Sequence, residues 1–237
     1  MISGEDCRIT DLRDVDLLMK KTHGLSLIVF MVMLLSACSA MEVPLPGRSK
    51  TLFQDEFVQG YSGNWMLESD EFGSTVIVPE QLLIELNSPN QIQYAALSEP
   101  LFSDFSLEVE AKLVNGSPAS TYGVLFRMQN PEAFYRFAIT GDGMYLLERH
   151  DPHGARFRFA EDWQDTVAIN QGIGSTNNLK VVANGPKIAV YVNDTLLEEV
   201  TDNSYSVGTI ALDAGTFDIA GTLVSFDNLF VYPPNDQ

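Results

Sequence analysis

The sequence predicts an all-β fold, two antiparallel sheets packed as a sandwich behind an N-terminal signal segment. Three observations carry this expectation. Short stretches alternate apolar and polar residues, turn dipeptides separate them at close spacing, and no window holds a convincing helical period. The strand-like stretches are residues 74–78, 81–86, 105–113, 122–129, 134–140, 144–149, 179–183, 188–192 and 223–232. Only residues 165–169 suggest a single helical turn. Asn115-Gly116, Gly141-Asp142-Gly143, Asn184-Gly185 and Asn193-Asp194 supply the turns. Asn-Gly is favoured there because tight hairpins need φ > 0 at both central residues.

Alternation assigns the faces. Val124, Phe126 and Met128 fall on one side of their strand, with Leu125, Arg127 and Gln129 on the other. Tyr135, Phe137 and Ile139 likewise oppose Phe134, Arg136 and Ala138, while Tyr145 and Leu147 oppose Leu146, Glu148 and His150. If the apolar sets pack inward, Arg127, Arg136 and Glu148 become cross-strand neighbours on one outer face. Charged forks flanked by Phe134 and Leu146 suit a sugar, whose hydroxyls need polar partners and whose ring faces need apolar surface. An ordinary solvated face with cross-strand ion pairs is the alternative. Trp163, between acidic residues, is placed to stack on a sugar ring at the rim, or to pack down onto the sandwich. Trp65, the other tryptophan, reads as core.

Composition narrows the function. The 237 residues are 45% hydrophobic, with Lys+Arg 14 against Asp+Glu 32 and a formal charge of -18. Nucleic-acid binding runs on a Lys/Arg surplus, so no such partner is expected. Two cysteines, Cys7 and Cys38, cannot build a disulfide-dense scaffold, and three histidines leave little for a histidine metal centre. Lys20 and Lys21, then the apolar run 25–37 and the small residues Ser36 and Ala37, form the three-part layout of an export signal. The run is too short for a spanning helix, which needs about 20 residues. Residues 1–18 are acidic and sit awkwardly before this signal, so translation is expected to start at Met19, with the signal over 19–37, a tether over 38–50 and the folded domain over 51–233.

Leu35-Ser36-Ala37-Cys38 resembles the lipobox of bacterial lipoproteins. That resemblance implies cleavage before Cys38, lipidation of its thiol, and a domain held by a lipid anchor on the outer side of a membrane. Further along, Leu52-Phe53-Gln54-Asp55-Glu56-Phe57, Asn64-Trp65, Asp104 to Glu110, Tyr122-Gly123-Val124-Leu125-Phe126-Arg127, Tyr135-Arg136-Phe137, Tyr191 to Asp194 and Ser225 to Leu229 together resemble the concanavalin A-like lectin/glucanase superfamily. They are most similar to its 3-keto-disaccharide hydrolase (DUF1080-like) branch. The resemblance implies a jelly roll whose concave face binds carbohydrate. It also implies a structural Ca²⁺ near the chain ends, for which Asp227 and Asp55 are the candidates, with no other cofactor required.

The family-16 glycosidase pattern of two glutamates around an aspartate on one strand is missing. Glu108-Val109-Glu110 has only two acids and reads as the wet side of an amphipathic strand. An adjacent arginine would hold Glu148 ionised rather than available as a general acid. The leading expectation is therefore a monomeric, non-catalytic, lectin-like lipoprotein binding a glycan or another cell-envelope component through Arg127, Arg136, Glu148 and Trp163. Processing of 3-keto-disaccharides and protein adhesion are the two alternatives.

Overall fold

The computed structural model describes residues 50–58 and 63–234. Cys7, Cys38, the signal and most of the tether lie outside the described residues. In chain order the strands are β1 (Phe53–Asp55), β2 (Trp65–Met66), β3 (Gly73–Val78), β4 (Gln81–Leu86), β5 (Ile92–Leu97), β6 (Phe105–Asn115), β7 (Thr121–Asn130) and β8 (Ala133–Thr140). They continue as β9 (Met144–Asp151), β10 (Ala155–Arg158), β11 (Gln164–Asp165), β12 (Thr176–Asn184), β13 (Lys187–Val192), β14 (Thr195–Thr201), β15 (Thr209–Gly215) and β16 (Thr222–Tyr232). The suggested helical turn at 165–169 does not form; Asp165 ends β11 and a turn follows it.

The strands build two antiparallel sheets of eight. The first runs β14-β13-β12-β6-β16-β4-β3, with β1 beside β16. The second runs β10-β9-β8-β7-β15-β5-β2, with β11 beside β9. Their facing sides supply one continuous core: Phe105, Leu107, Val109, Val181, Val190, Phe226 and Val231 from the first sheet meet Val124, Phe126, Tyr135, Phe137, Leu147 and Leu212 from the second. Each such side chain contributes about 1.5–3 kcal/mol when fully removed from water. Trp65 joins this core and stands 5.7 Å from Phe57. Asn193 and Asp194 both take positive φ (48° and 64°) between β13 and β14, the twist that matches a tight hairpin, whereas Asn184 is the last residue of β12 and only Gly185 takes positive φ (54°) in the turn before β13.

Alternation fails in β7, and this failure matters for the site. Pairing of β7 with β8 is regular up to Phe126 opposite Tyr135 and then shifts in register. Against β15, on the other side, Leu125 pairs with Ala211 and Met128 with Thr209, so Arg127 is the extra residue there, with φ at 47°. A bulge of this kind reverses the facing of every later residue. Phe126 stays in the core, but Met128 joins Leu125, Ala96, Phe134 and Ala211 in a second apolar cluster on the far side of the sheet.

Candidate functional site

The far side of the second sheet carries cross-strand rows of mixed chemistry. Leu125, Arg136, Glu148 and Arg158 sit opposite one another on β7, β8, β9 and β10, and Phe134, His150 and Arg156 form the next row. Tyr94, Asp213, Gly123, Ala138 and Leu146 form a third. Gly123 is required where it stands: a Cβ would meet the Phe137 carbonyl oxygen at 2.0 Å. Its bare backbone lies between Asp213 and Ala138, next to the strand position from which Arg136 reaches over to Asp213.

Arg136 is the hub. Its Nε donates to Asp213 Oδ2 at 2.8 Å, Nη2 stands 2.7 Å from the same oxygen and donates to Thr121 Oγ1 at 2.9 Å, and Nη1 stands 3.6 Å from Glu148 Oε1. His150 Nε2 meets the same Glu148 oxygen at 2.9 Å, and its ring stacks on Phe134 with centroids 4.4 Å apart. Arg136, Glu148 and Asp213 are all buried. Two carboxylates therefore share one guanidinium, and each keeps one oxygen, Glu148 Oε2 and Asp213 Oδ1, without a hydrogen-bond partner.

The two carboxyls are pushed apart electrostatically. Burial alone would raise Glu148, but the hydrogen bond with His150 and the charges of Arg136, His150 and Arg156 outweigh it and hold Glu148 below its ordinary value. Burial pushes Asp213 up; Arg136 pulls it back only in part, and the Glu148 charge adds to the rise. Burial also works against the Arg136 cation, yet Asp213 and Glu148 prevail and raise its pKa. Glu148 is accordingly an acceptor at neutral pH.

Above this floor lies a pocket of about 230 Å³. Arg136, Glu148 and Thr121 line it together with Arg156, Arg158, Leu146, Ile92, Trp163 and Phe217. Trp163 and Phe217 meet edge to face, centroids 6.4 Å apart, although they come from connections on different sides of the sheet order. The pocket thus combines an aromatic rim with a charged floor. It is smaller than the roughly 300–1,000 Å³ typical of sites for drug-sized ligands, and matches a single ring better than a long chain.

Of the residues expected at a ligand site, the structure brings Arg136, Glu148 and Trp163 together and leaves out Arg127. The bulge turns Arg127 away from the row it was expected to join. Its guanidinium is buried and donates to the Ser103 carbonyl at 2.8 and 3.0 Å, the Tyr205 carbonyl at 3.2 Å and Asp104 at 3.2 Å. It ties two chain connections to the sheet. Arg127→Ala should accordingly cost folding stability, about 1.5–3 kcal/mol for hydrogen bonds from a charged group, while folded protein keeps wild-type sugar affinity. Urea melts and calorimetric titration of the same sample check this; lost affinity without lost stability would contradict it.

Asp55 and Asp227, the calcium candidates, are each hydrogen-bonded within the protein. Asp55 Oδ1 accepts from the Phe57 N–H at 2.7 Å and Oδ2 from Trp65 Nε1 at 2.8 Å, so both oxygens are occupied by the core. Asp227 accepts from the Asn228 N–H at 2.7 Å on the first sheet. Burial pushes its carboxyl up, the Asn228 contact opposes this, and Glu110, Glu80 and Glu56 add to the rise. Among the described residues no group of three His, Cys, Asp or Glu side chains is arranged around a metal position. Asp55→Ala should lower stability by roughly 1–3 kcal/mol, because it strands the Trp65 and Phe57 donors. A melting temperature equal to wild type would refute that role.

Sequence reading missed Asp213, Thr121, Arg156 and Phe217 as members of the site. Asp213 carried a signal: it interrupts the apolar run Ile210-Ala211-Leu212-Asp213-Ala214, and a charge there must be exposed or paired. Glu108 and Glu110 lie on the outer face of the first sheet, Glu108 pairing with Lys180 at 3.1 Å.

Comparison with known folds agrees with this architecture. The carbohydrate-binding module CBM66 from Bacillus subtilis is similar over 71% of this chain and 95% of its own, at 19% identity and a TM-score of 0.57. A Bacillus subtilis protein of unknown function with a galectin-like fold matches over 78% and 97%, at 10% identity and 0.60. The catalytic domain of a laminarinase from Thermotoga petrophila matches over 80% and 99%, at 12% identity and 0.54. At these identities the likeness shows the fold, a concanavalin A-like jelly roll. No curated sequence relative matches the chain. The family model for the 3-keto-alpha-glucoside-1,2-lyase-like domain matches residues 49–232, and with most of its length so covered the chain belongs to that family.

Proposed function

We propose that the domain binds a terminal sugar residue in the pocket between Trp163 and Glu148. The observation that carries this reading is Glu148, a residue lining a pocket with an aromatic rim and keeping one buried acceptor, Oε2, without a partner. A buried acceptor left unpaired costs about 1–3 kcal/mol, which a ligand hydroxyl recovers. The Trp163 and Phe217 rings supply the apolar surface on which the C–H face of a sugar rests. The carbohydrate-binding module and the laminarinase share the fold, and the family name places sugars among its substrates; both support a glycan ligand.

A second reading has its own support. Family membership favours cleavage of a 3-keto-glucoside by elimination, in which a base removes the C2 proton, the C1–O bond breaks, and the departing oxygen takes up a proton. Glu148, with His150 bonded to it, would be the base. Its Oε1 is already held by His150 and Arg136, which weakens it as a base, and the binding reading is preferred for that reason. Purified protein should bind methyl glycosides by calorimetry and release no new product from ordinary or 3-keto disaccharides by mass spectrometry. Turnover that disappears in Glu148→Gln would promote the elimination reading; neither binding nor turnover would leave protein adhesion as the function.

The anchor belongs to the same proposal. Leu35 to Cys38 fits a lipobox, and two or more acyl chains hold a protein on a membrane far better than one. An alkyne fatty acid fed to producing cells should label wild type and not Cys38→Ala. Equal label in both would remove the anchor.

A further inference from the structure

Glu148, whose Oε2 is unpaired, and Arg156 line one pocket with opposite hydrogen-bonding demands, and we infer that together they select a neutral sugar with two free neighbouring hydroxyls. This rests on the sugar-binding reading and specifies what the site requires of its ligand. Glu148 lines the pocket with Oε2 unpaired, and its other oxygen is already shared by His150 and Arg136. An ionised carboxylate only accepts, so it demands an O–H from the ligand.

Arg156 is the complementary element. It sits on β10, opposite His150 and one row from Glu148, and lines the same pocket. The other two arginines there are engaged: Arg136 with Asp213, Thr121 and Glu148, and Arg158 with Asp162 at 2.8 Å. Among the described residues, no carboxylate lies within 4.0 Å of Arg156. A guanidinium only donates, so it demands an acceptor. Neighbouring hydroxyls meet both demands, one giving its proton to Glu148 and the next presenting lone pairs to Arg156.

Two exclusions follow. A carboxylate or phosphate on the ligand would be drawn to Arg156 but repelled by ionised Glu148 beside it, so acidic sugars bind less well than neutral ones. A ring carbonyl, which accepts and cannot donate, is tolerated at the Arg156 position and refused at the Glu148 position. Glu148 is therefore a specificity-determining residue, deciding which carbon of an oxidised sugar can face the floor.

The test begins with methyl glycosides of glucose, galactose and mannose titrated into the purified full chain, then compares each monodeoxy analogue of the tightest binder. Two analogues, modified at adjacent carbons, should each lose roughly 10–100-fold in affinity, the range for a hydrogen bond to a charged group. The Glu148→Gln variant should erase one penalty and Arg156→Met the other. Arg156 is exposed, so its replacement leaves the folded domain intact, as a melting curve on each variant verifies. Wild-type binding with every monodeoxy analogue within about twofold would overturn the diol requirement and leave the pocket as a sugar site. Penalties at non-adjacent carbons would do the same. Failure of all parent glycosides to bind would overturn the sugar-binding reading itself.

Discussion

Arg136→Ala should destabilise the protein by about 3–5 kcal/mol, the cost of leaving a buried charge without its partner. Asp213 is fully buried and depends on Arg136 for both short contacts to its Oδ2, and Thr121 Oγ1 loses its donor in the same stroke. The raised Asp213 pKa should rise further without the guanidinium, so the variant should recover part of its loss in acid as Asp213 protonates. The sign follows from linkage: a carboxyl raised in the folded state stabilises that state below its unfolded value near 3.9, and this is lost as pH climbs through the folded pKa. Urea unfolding at neutral and mildly acidic pH measures both effects. Replacing Arg136 and Asp213 together with apolar residues of similar volume should cost much less than Arg136→Ala alone. A loss below about 1 kcal/mol for the single variant would show that the ion pair does not hold the floor together.

The largest effect on ligand affinity is expected for Glu148→Ala. It removes the unpaired acceptor and also strips His150 of its contact, so sugar binding should weaken by at least about 10–100-fold. Binding by the wild type should be flat across neutral pH and fall only below about 4.3, the ordinary glutamate value, because Glu148 is held beneath it. Its contribution to stability runs in the same direction, present above the unfolded pKa and lost as pH falls through the folded one. Binding that instead declines well above the ordinary glutamate value would show that Glu148 is not the controlling acceptor. Trp163 reports the titration, since Trp65 is sealed in the core and the chain has no third tryptophan.

Much of the fold was legible in the sequence because period-2 patterning reports burial directly. β4 spans the residues that alternation selected, and β6 is longer than expected by only two positions. β14 escaped because its exposed face carries Thr195, Leu196, Glu199 and Thr201, which breaks the apolar alternation of an edge strand. The site was half legible. Arg136 and Glu148 stand opposite each other because the β8–β9 hairpin is regular, so counting by two reached the right face. Arg127 was misplaced because the same count crosses a bulge, and a single extra residue against β15 leaves no mark on composition. Trp163 and Phe217 lie far apart in sequence, on the connections after β10 and β15 of the second sheet, and meet only in the folded chain. No local pattern encodes that meeting.

The most direct test is the crystal structure of the protein with its tightest methyl glycoside. The ring should lie against Trp163 and Phe217, with one hydroxyl oxygen at hydrogen-bonding distance, about 2.5–3.0 Å, from Glu148 Oε2 and its neighbour facing Arg156. A sugar bound elsewhere, such as the shallow dent beside Asp227 and Glu110 on the other sheet, with Glu148 Oε2 still unpaired, would contradict the account.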